Sequence, residues 1–284
     1  TSDCASMTNQ IFYSTHSPYF VDLDRYNQIR VIRKIAQHKD SVPESQVSEV
    51  QINLLNKELA RIWEKDPQEF TPSSFKAHAA PVMNTVINEG FFADTIVVVE
   101  GLSEVGALWK LQEIMKKEWY EKGIAVVPAG GKANIDRPTI IFKGFGIPTY
   151  FIFDADASKK ADDNANENKK AISKKTAEQN RAYLRLANAA LEDFPKTHIN
   201  ENWAVFENNL EDEIKNAIGN ETFNEICRNV AVELGYADKD DVCKNIECIG
   251  MVIESIYAQK KKVESLEKVV DSITEFANKS KSAK

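Results

Sequence analysis

Apolar residues fall along this chain in three rhythms. In "VSEVQINLLNKELARIW" the residues Val50, Ile52, Leu54, Leu55, Leu59 and Ile62 recur at three- and four-residue steps, the spacing of one helix face. Pro43 and the Pro67/Pro72 region bracket that stretch, so residues 36–92 read as a helical connector. From Phe91 the rhythm becomes strand, helix, strand. "DTIVVVE" is a continuous β-branched run, as expected of a parallel strand buried on both faces. "SEVGALWKLQEIMKKEWY" sets Val105, Leu108, Leu111, Ile114 and Met115 on one helical face. "GIAVVPAGG" reads as a second buried strand, "DRPTIIFKGFG" as a short helix ended by Gly144 or Gly146, and "PTYFIFDADAS" as a third strand. A fourth covers Trp203 to Phe206 in "ENWAVFENNLEDEI". The third rhythm occupies 221–284, where Val263, Leu266, Val269, Val270, Ile273 and Phe276 form a helical stripe. Strands alternating with helices predict an α/β protein with a parallel sheet and right-handed crossovers.

Two segments fit none of these rhythms. "ASKKADDNANENKKAISKKTAEQN" carries six lysines with no apolar period, so it reads as a solvated loop or as a flap that touches phosphates. "RAYLRLANAALEDF" then reads as a helix, within a helical and polar insertion over about 157–200. At the other end, "QIFYSTHSPYFVDLD" predicts a strand over Gln10–Tyr13, then a polar turn, with Pro18 in the first turn after Ser17. Its "THSP" resembles the end of ABC-type ATPase domains, where a histidine senses nucleotide phosphate; here that residue is His16. No GxxxxGK[ST] loop occurs, and "PAGGKAN" at 128–134 lacks the first glycine and the Ser/Thr, so His16 has no phosphate cradle to work with.

Composition narrows the class. The 284 residues carry a formal charge of −7, which excludes a DNA-coating basic protein and leaves room only for local basic patches. No apolar run has the length of a membrane span and no signal peptide opens the chain, so a cytoplasmic protein is expected. Cys4, Cys227, Cys243 and Cys248 make no CxxC pair and read as free thiols. His38 and His78 are isolated and read as structural or exposed.

The chemistry gathers where buried strands end on acids. Glu100 ends the first of them, Glu104 lies one helical turn on, and Asp154 ends the third with Asp156 two residues beyond. In open parallel sheets ligands sit at the carboxyl ends of the strands. Four carboxylates on one edge repel one another by several kcal/mol at a protein-like dielectric. Protonation or a hard divalent cation must relieve that, and oxygen ligands without histidine or thiolate favour Mg²⁺ or Mn²⁺.

Glutamate-glycine after one strand and DxD after another, with 54 residues from Glu100 to Asp154, resembles the Toprim domain, a Rossmann-like fold shared by topoisomerases, primases and several nucleases. The order "STHSP", helical connector, "FFADTIVVVEGLSE" resembles more specifically the C-terminal part of OLD-family (overcoming lysogenization defect) ATP-dependent endonucleases, to which the Gabija defence nuclease is related. The resemblance implies four regions: 1–35 as the edge of an ABC-type ATPase domain, 36–92 as the connector, 93–220 as the Toprim catalytic domain and 221–284 as C-terminal helices. It also implies an ATPase portion ahead of Thr1, use of ATP only in the full-length protein, homo-oligomers formed through that portion, and a role in phage defence.

The function so implied is a DNA endonuclease, a nickase, that hydrolyses phosphodiester bonds with two Mg²⁺ or Mn²⁺ ions. Glu100, Asp154 and Asp156 would be the core ligands, Glu104 would join them, and either Glu207 or Glu211 would complete the second metal's shell. The resemblance also calls for a lysine near "KKK", Lys260 to Lys262, with Lys262 the favourite, to stabilise charge on the reacting phosphate. Glu211, Asp212 and Glu213 read equally well as the acidic first turn of a helix. Two alternatives stand beside the nuclease. A topoisomerase or primase would need a domain around a strand-cleaving tyrosine or a zinc-binding cysteine set, and neither is identifiable. A non-catalytic DNA-binding scaffold would be free to lose acids that this chain keeps.

Overall fold

The greasy runs assemble into one five-stranded sheet. Its strands are β3 (Thr95–Val99), β4 (Ile124–Pro128), β5 (Thr149–Asp154), β6 (His198–Ile199) and β7 (Trp203–Phe206), in the order β4-β3-β5-β7-β6. Strands β4, β3, β5 and β7 run parallel, and β6 closes one edge antiparallel to β7. The structure, a computed structural model, describes residues 11–22, 25, 28–35, 41–236, 242 and 244–282. Gln10, His38, Cys4 and Cys243 lie outside them.

Every residue of β3 and β5 is buried, because helices cover both faces of the sheet. Strand alternation deals the side chains to two cores. Val97, Val99, Tyr150 and Ile152 face one core, shared with α4 (Leu102–Ile114), α7 (Leu210–Ile218), α8 (Asn220–Leu234), α9 (Ile246–Ala258) and α10 (Glu264–Ser282). Ile96, Val98, Phe151 and Phe153 face the other, shared with α1 (Ile52–Trp63), α2 (Pro72–Ala79), α3 (Thr85–Asn88), α5 (Asp136–Gly144) and α6 (Glu167–Leu186). The predicted C-terminal stripe is a true core face: Val263, Leu266, Val269, Val270 and Ile273 have no solvent exposure. Helices α4 and α9 approach closely at Gly106, where a Cβ would run into the Ile246 carbonyl and the Ile249 side chain. Cys227 and Cys248 are both buried thiols outside any disulfide. Among the described residues no helix is long and apolar enough to cross a membrane.

Five expectations are corrected. The connector is not helical throughout: within it β2 (Glu44–Ser48) pairs antiparallel with β1 (Val31–Ile35), which precedes the connector, before α1 begins. The polar run of β2 has no helical period, and its mostly exposed side chains need no core. Within α1, Leu55, Leu59 and Ile62 are buried but Leu54 is 56% exposed, since one face of a helix cannot hold two consecutive residues equally. Ile11–Tyr13 form no strand; their side chains are exposed and no strand among the described residues pairs with them. Pro18 does open a short helical turn, Pro18–Phe20, after Ser17. Most of the lysine-rich segment is the long helix α6 rather than a loop, and that helix stops at Leu186, well short of Phe194.

Because four strands are parallel, their carboxyl ends share one edge of the sheet. Glu100, the turn after β4, the DxD and Glu207 all leave the sheet there.

Candidate active site

Glu100 follows β3 and Gly101 caps α4. Glu104, three residues into the helix, turns back so that its Oε2 accepts the Gly101 N–H at 2.9 Å. The carboxylate therefore sits at the positive end of α4, where an acid is stabilised. Burial nonetheless raises the Glu104 pKa, and the charge of Glu211 adds to the rise. Glu100 is pushed up to about 7, first by burial and then by the charges of Glu104 and Asp156, against the pull of Lys132. Its Oε2 is buried with no hydrogen-bond partner among the described residues.

Asp154 is the last residue of β5 and is 8% exposed. Burial raises its pKa well above the usual carboxylate range, and Glu100, Glu104 and Asp156 raise it further. The loop beyond is pinned from two sides. Ala155 N–H donates to the Phe206 carbonyl at 2.8 Å and Ala157 N–H to the Glu207 carbonyl at 2.9 Å. From α6, Asn180 Nδ2 donates to the Ala155 carbonyl at 2.8 Å. Asp156 adopts the left-handed backbone at φ +53° and turns its carboxylate into the cluster. There Oδ2 pairs with Lys132 Nζ at 2.9 Å, and Oδ1 with Lys159 Nζ at 2.8 Å.

Lys132 is the residue that sequence reasoning missed. It follows Gly130 and Gly131, whose φ angles of +76° and +125° suit glycine. Gly131 N–H donates to the Glu100 carbonyl at 2.9 Å, which ties this turn to the end of β3. Lys132 is only 7% exposed. Burial lowers its pKa, while Asp156, Glu100 and Asp154 hold its charge. The signal was present in "PAGGKAN": a buried strand, two glycines and a lysine. As a nucleotide loop this run is incomplete, yet it leaves the sheet beside Glu100.

The remaining candidates separate. Glu211 stands in the acidic first turn of α7, close enough to act on Glu104, and lies 3.6 Å from Lys215. Glu207 turns away to Lys196, with Oε1 2.6 Å from Nζ. Lys262 is exposed, 4.0 Å from Glu267, and is not among the charges that act on Glu100, Glu104 or Asp154. His16 is exposed, its ring 6.1 Å from that of Phe92, ahead of the start of β3. The acids are at the far end of that strand, roughly 15 Å away at the usual rise per residue.

Among the described residues no three His, Cys, Asp or Glu side chains close around one metal-sized point. The donor chemistry still fits a hard divalent cation. All the donors are carboxylate oxygens, one of them is buried without a partner, and the excess negative charge is met by an internal ammonium.

Residues 91–156 match the family model described as the Overcoming lysogenization defect protein-like TOPRIM domain. They form an OLD-like Toprim domain. The match opens at Phe91, just ahead of β3, and closes on Asp156, so this Toprim unit contains Glu100, Glu104, Lys132, Asp154 and Asp156. The chain is also 30% identical over 183 residues to a protein of Thermus scotoductus named OLD nuclease. That alignment covers 63% of this chain and 31% of the relative, so the chain spans about a third of the length of the curated relative it matches. Similar solved structures include the C-terminal region of the Burkholderia pseudomallei OLD protein, at 17% identity and a TM-score of 0.43, covering 66% of this chain and 99% of that one. Another is the C-terminal region of the Xanthomonas campestris pv. campestris OLD protein, at 16% identity and a TM-score of 0.38, covering 66% and 95%.

Proposed function

We propose that the chain carries the nuclease centre of an OLD-family protein and hydrolyses phosphodiester bonds of DNA with Mg²⁺ or Mn²⁺. The observation that supports this best is the convergence of Glu100, Asp154, Asp156 and Lys132 at one sheet edge inside the matched Toprim segment. Glu100, Asp154 and Asp156 would hold the cations, with Glu104 and Glu211 on the flank; Glu207 would have to leave Lys196 to join them. Two ions bound there would activate the attacking water and steady the leaving 3′-oxygen. Without them, Glu100 keeps its proton up to about pH 7, which limits the charge the edge carries. Asn180 and the Phe206 carbonyl fix the DxD loop, so Asp154 and Asp156 keep a set spacing. In the same reading, 93–220 form the catalytic domain, 36–92 a connector and 221–284 a helical cover. Residues 1–35 are then the edge of an ATPase domain, where His16 would serve nucleotide sensing.

Supercoiled plasmid incubated with the protein and Mg²⁺ or Mn²⁺ tests the reading. Nicked and linear products are expected, lost with EDTA and restored by either ion. Asp154→Ala should abolish cutting. Its melting temperature in EDTA should equal or exceed the parent's, because one repelling acid is gone. With Mg²⁺ the parent should gain more stability than the variant, by mass action. Relaxed topoisomers would indicate strand passage, unchanged plasmid a scaffold, and restoration by Zn²⁺ alone a different centre.

A further inference from the structure

A buried cation of the chain itself already stands among the acids. Lys132 Nζ lies 2.9 Å from Asp156 Oδ2, and its charge also acts on Glu100 and Asp154. The side chain is buried where solvent cannot share its charge. Its backbone is fixed on both sides: the Gly130–Gly131 turn is tied to the Glu100 carbonyl, and the Tyr183 hydroxyl donates to the Lys132 carbonyl from α6. Asp156 is thus held by a lysine anchored in the core, while its second oxygen meets Lys159, which is half exposed and free to leave. With the ammonium in this position no three carboxylates among the described residues converge on a metal-sized point, although Glu100 Oε2 stays buried without a partner.

We infer that Lys132 is a resident counter-ion of this site: its ammonium holds the acid cluster before a divalent cation arrives and must release Asp156 for that cation to bind. The inference rests on the metal-centre reading above. A buried ammonium paired to a carboxylate competes with any ion that needs the same oxygen. The lysine therefore weakens metal affinity while stabilising the metal-free fold. A lysine that served as a phosphate contact alone would have no such effect on the free protein.

The test is divalent-ion binding without DNA, by calorimetry with Mg²⁺ and by electron paramagnetic resonance with Mn²⁺, on the parent, Lys132→Met and Asp154→Ala. Lys132→Met should bind about tenfold more tightly than the parent, a difference of about 1.4 kcal/mol. Its melting temperature in EDTA should fall below the parent's. Equal or weaker binding by Lys132→Met, with the parent still binding through Asp154, overturns the counter-ion inference and leaves the metal centre standing. A parent that binds no divalent ion, or binds it equally well as Asp154→Ala, overturns the metal centre itself. If Lys132→Met does not fold, amine-directed labelling of the intact parent decides. Labelling at Lys132 should be slow in EDTA and faster with saturating Mg²⁺. A rate unchanged or reduced by Mg²⁺ overturns the inference.

Discussion

Glu100 stands between two demands, since its main chain continues the sheet edge while its carboxyl faces other acids. Its pKa is raised from 4.5 to about 7, mainly by burial. Between those values the folded protein keeps a proton that the unfolded chain has lost. The folded state then binds more protons, so stability falls as pH rises through this window and is fully present only below it. Glu100→Gln cannot ionise and removes that contribution. In EDTA, the parent's melting temperature should therefore drop more steeply than the variant's between pH 4.5 and about 7. Parallel curves for the two proteins would show that Glu100 is an ordinary exposed acid. At this scale the acids were legible, because a buried β-branched run that ends on a carboxylate is hard to explain otherwise. Lys132 was not, because a lysine after two glycines acquires meaning only when β4 is known to lie beside β3.

Among the elements, α6 shows how a sequence can hide a structural part. Its first half is rich in lysine and largely exposed, and carries no apolar period. The helix starts because Asn166 accepts the Lys169 N–H, and it is held by burial only from Thr176 onward. Local patterning reports burial, so the exposed half read as a loop. The buried half does the positioning. Asn180, with no exposure, donates to the carbonyls of Ala155 at 2.8 Å and Asp193 at 2.7 Å. Asn180→Ala would leave both carbonyls without that donor, a loss of about 1–3 kcal/mol for buried polar groups. A lower melting temperature is expected, with weaker Mg²⁺ binding because the DxD loop loses its clamp. An unchanged melting temperature would show that the loop is held by β7 alone. The hairpin β1–β2 was hidden for a related reason: its pairing is local and mostly exposed, so no buried stripe marks it.

Across the whole molecule, the sheet separates two apolar cores, and the acids occupy the edge where both end. That architecture follows from buried strands alternating with helices, which is why the α/β class and the shared edge of Glu100 and Asp154 could be anticipated, while the strand order could not. The chain's opening could not be, since Ile11–Tyr13 pair with no strand among the described residues. His16 lies ahead of the start of β3 beside Phe92, whereas Glu100 lies past its end. Between them runs a strand buried on both sides, with no ionisable side chain along it. The sequence has no GxxxxGK[ST] loop to bring a nucleotide to His16. A coupling between two sites requires a ligand with different affinities for two states, and this chain offers ATP no cradle in either. ATP should therefore leave plasmid cutting by this chain unchanged, and phosphate release from ATP should stay at the buffer rate. His16→Ala should cut at the parent's rate under the same conditions. ATP hydrolysis by clean protein, or a cutting rate that rises with ATP, would mean that the "THSP" segment works without the loop that such histidines serve.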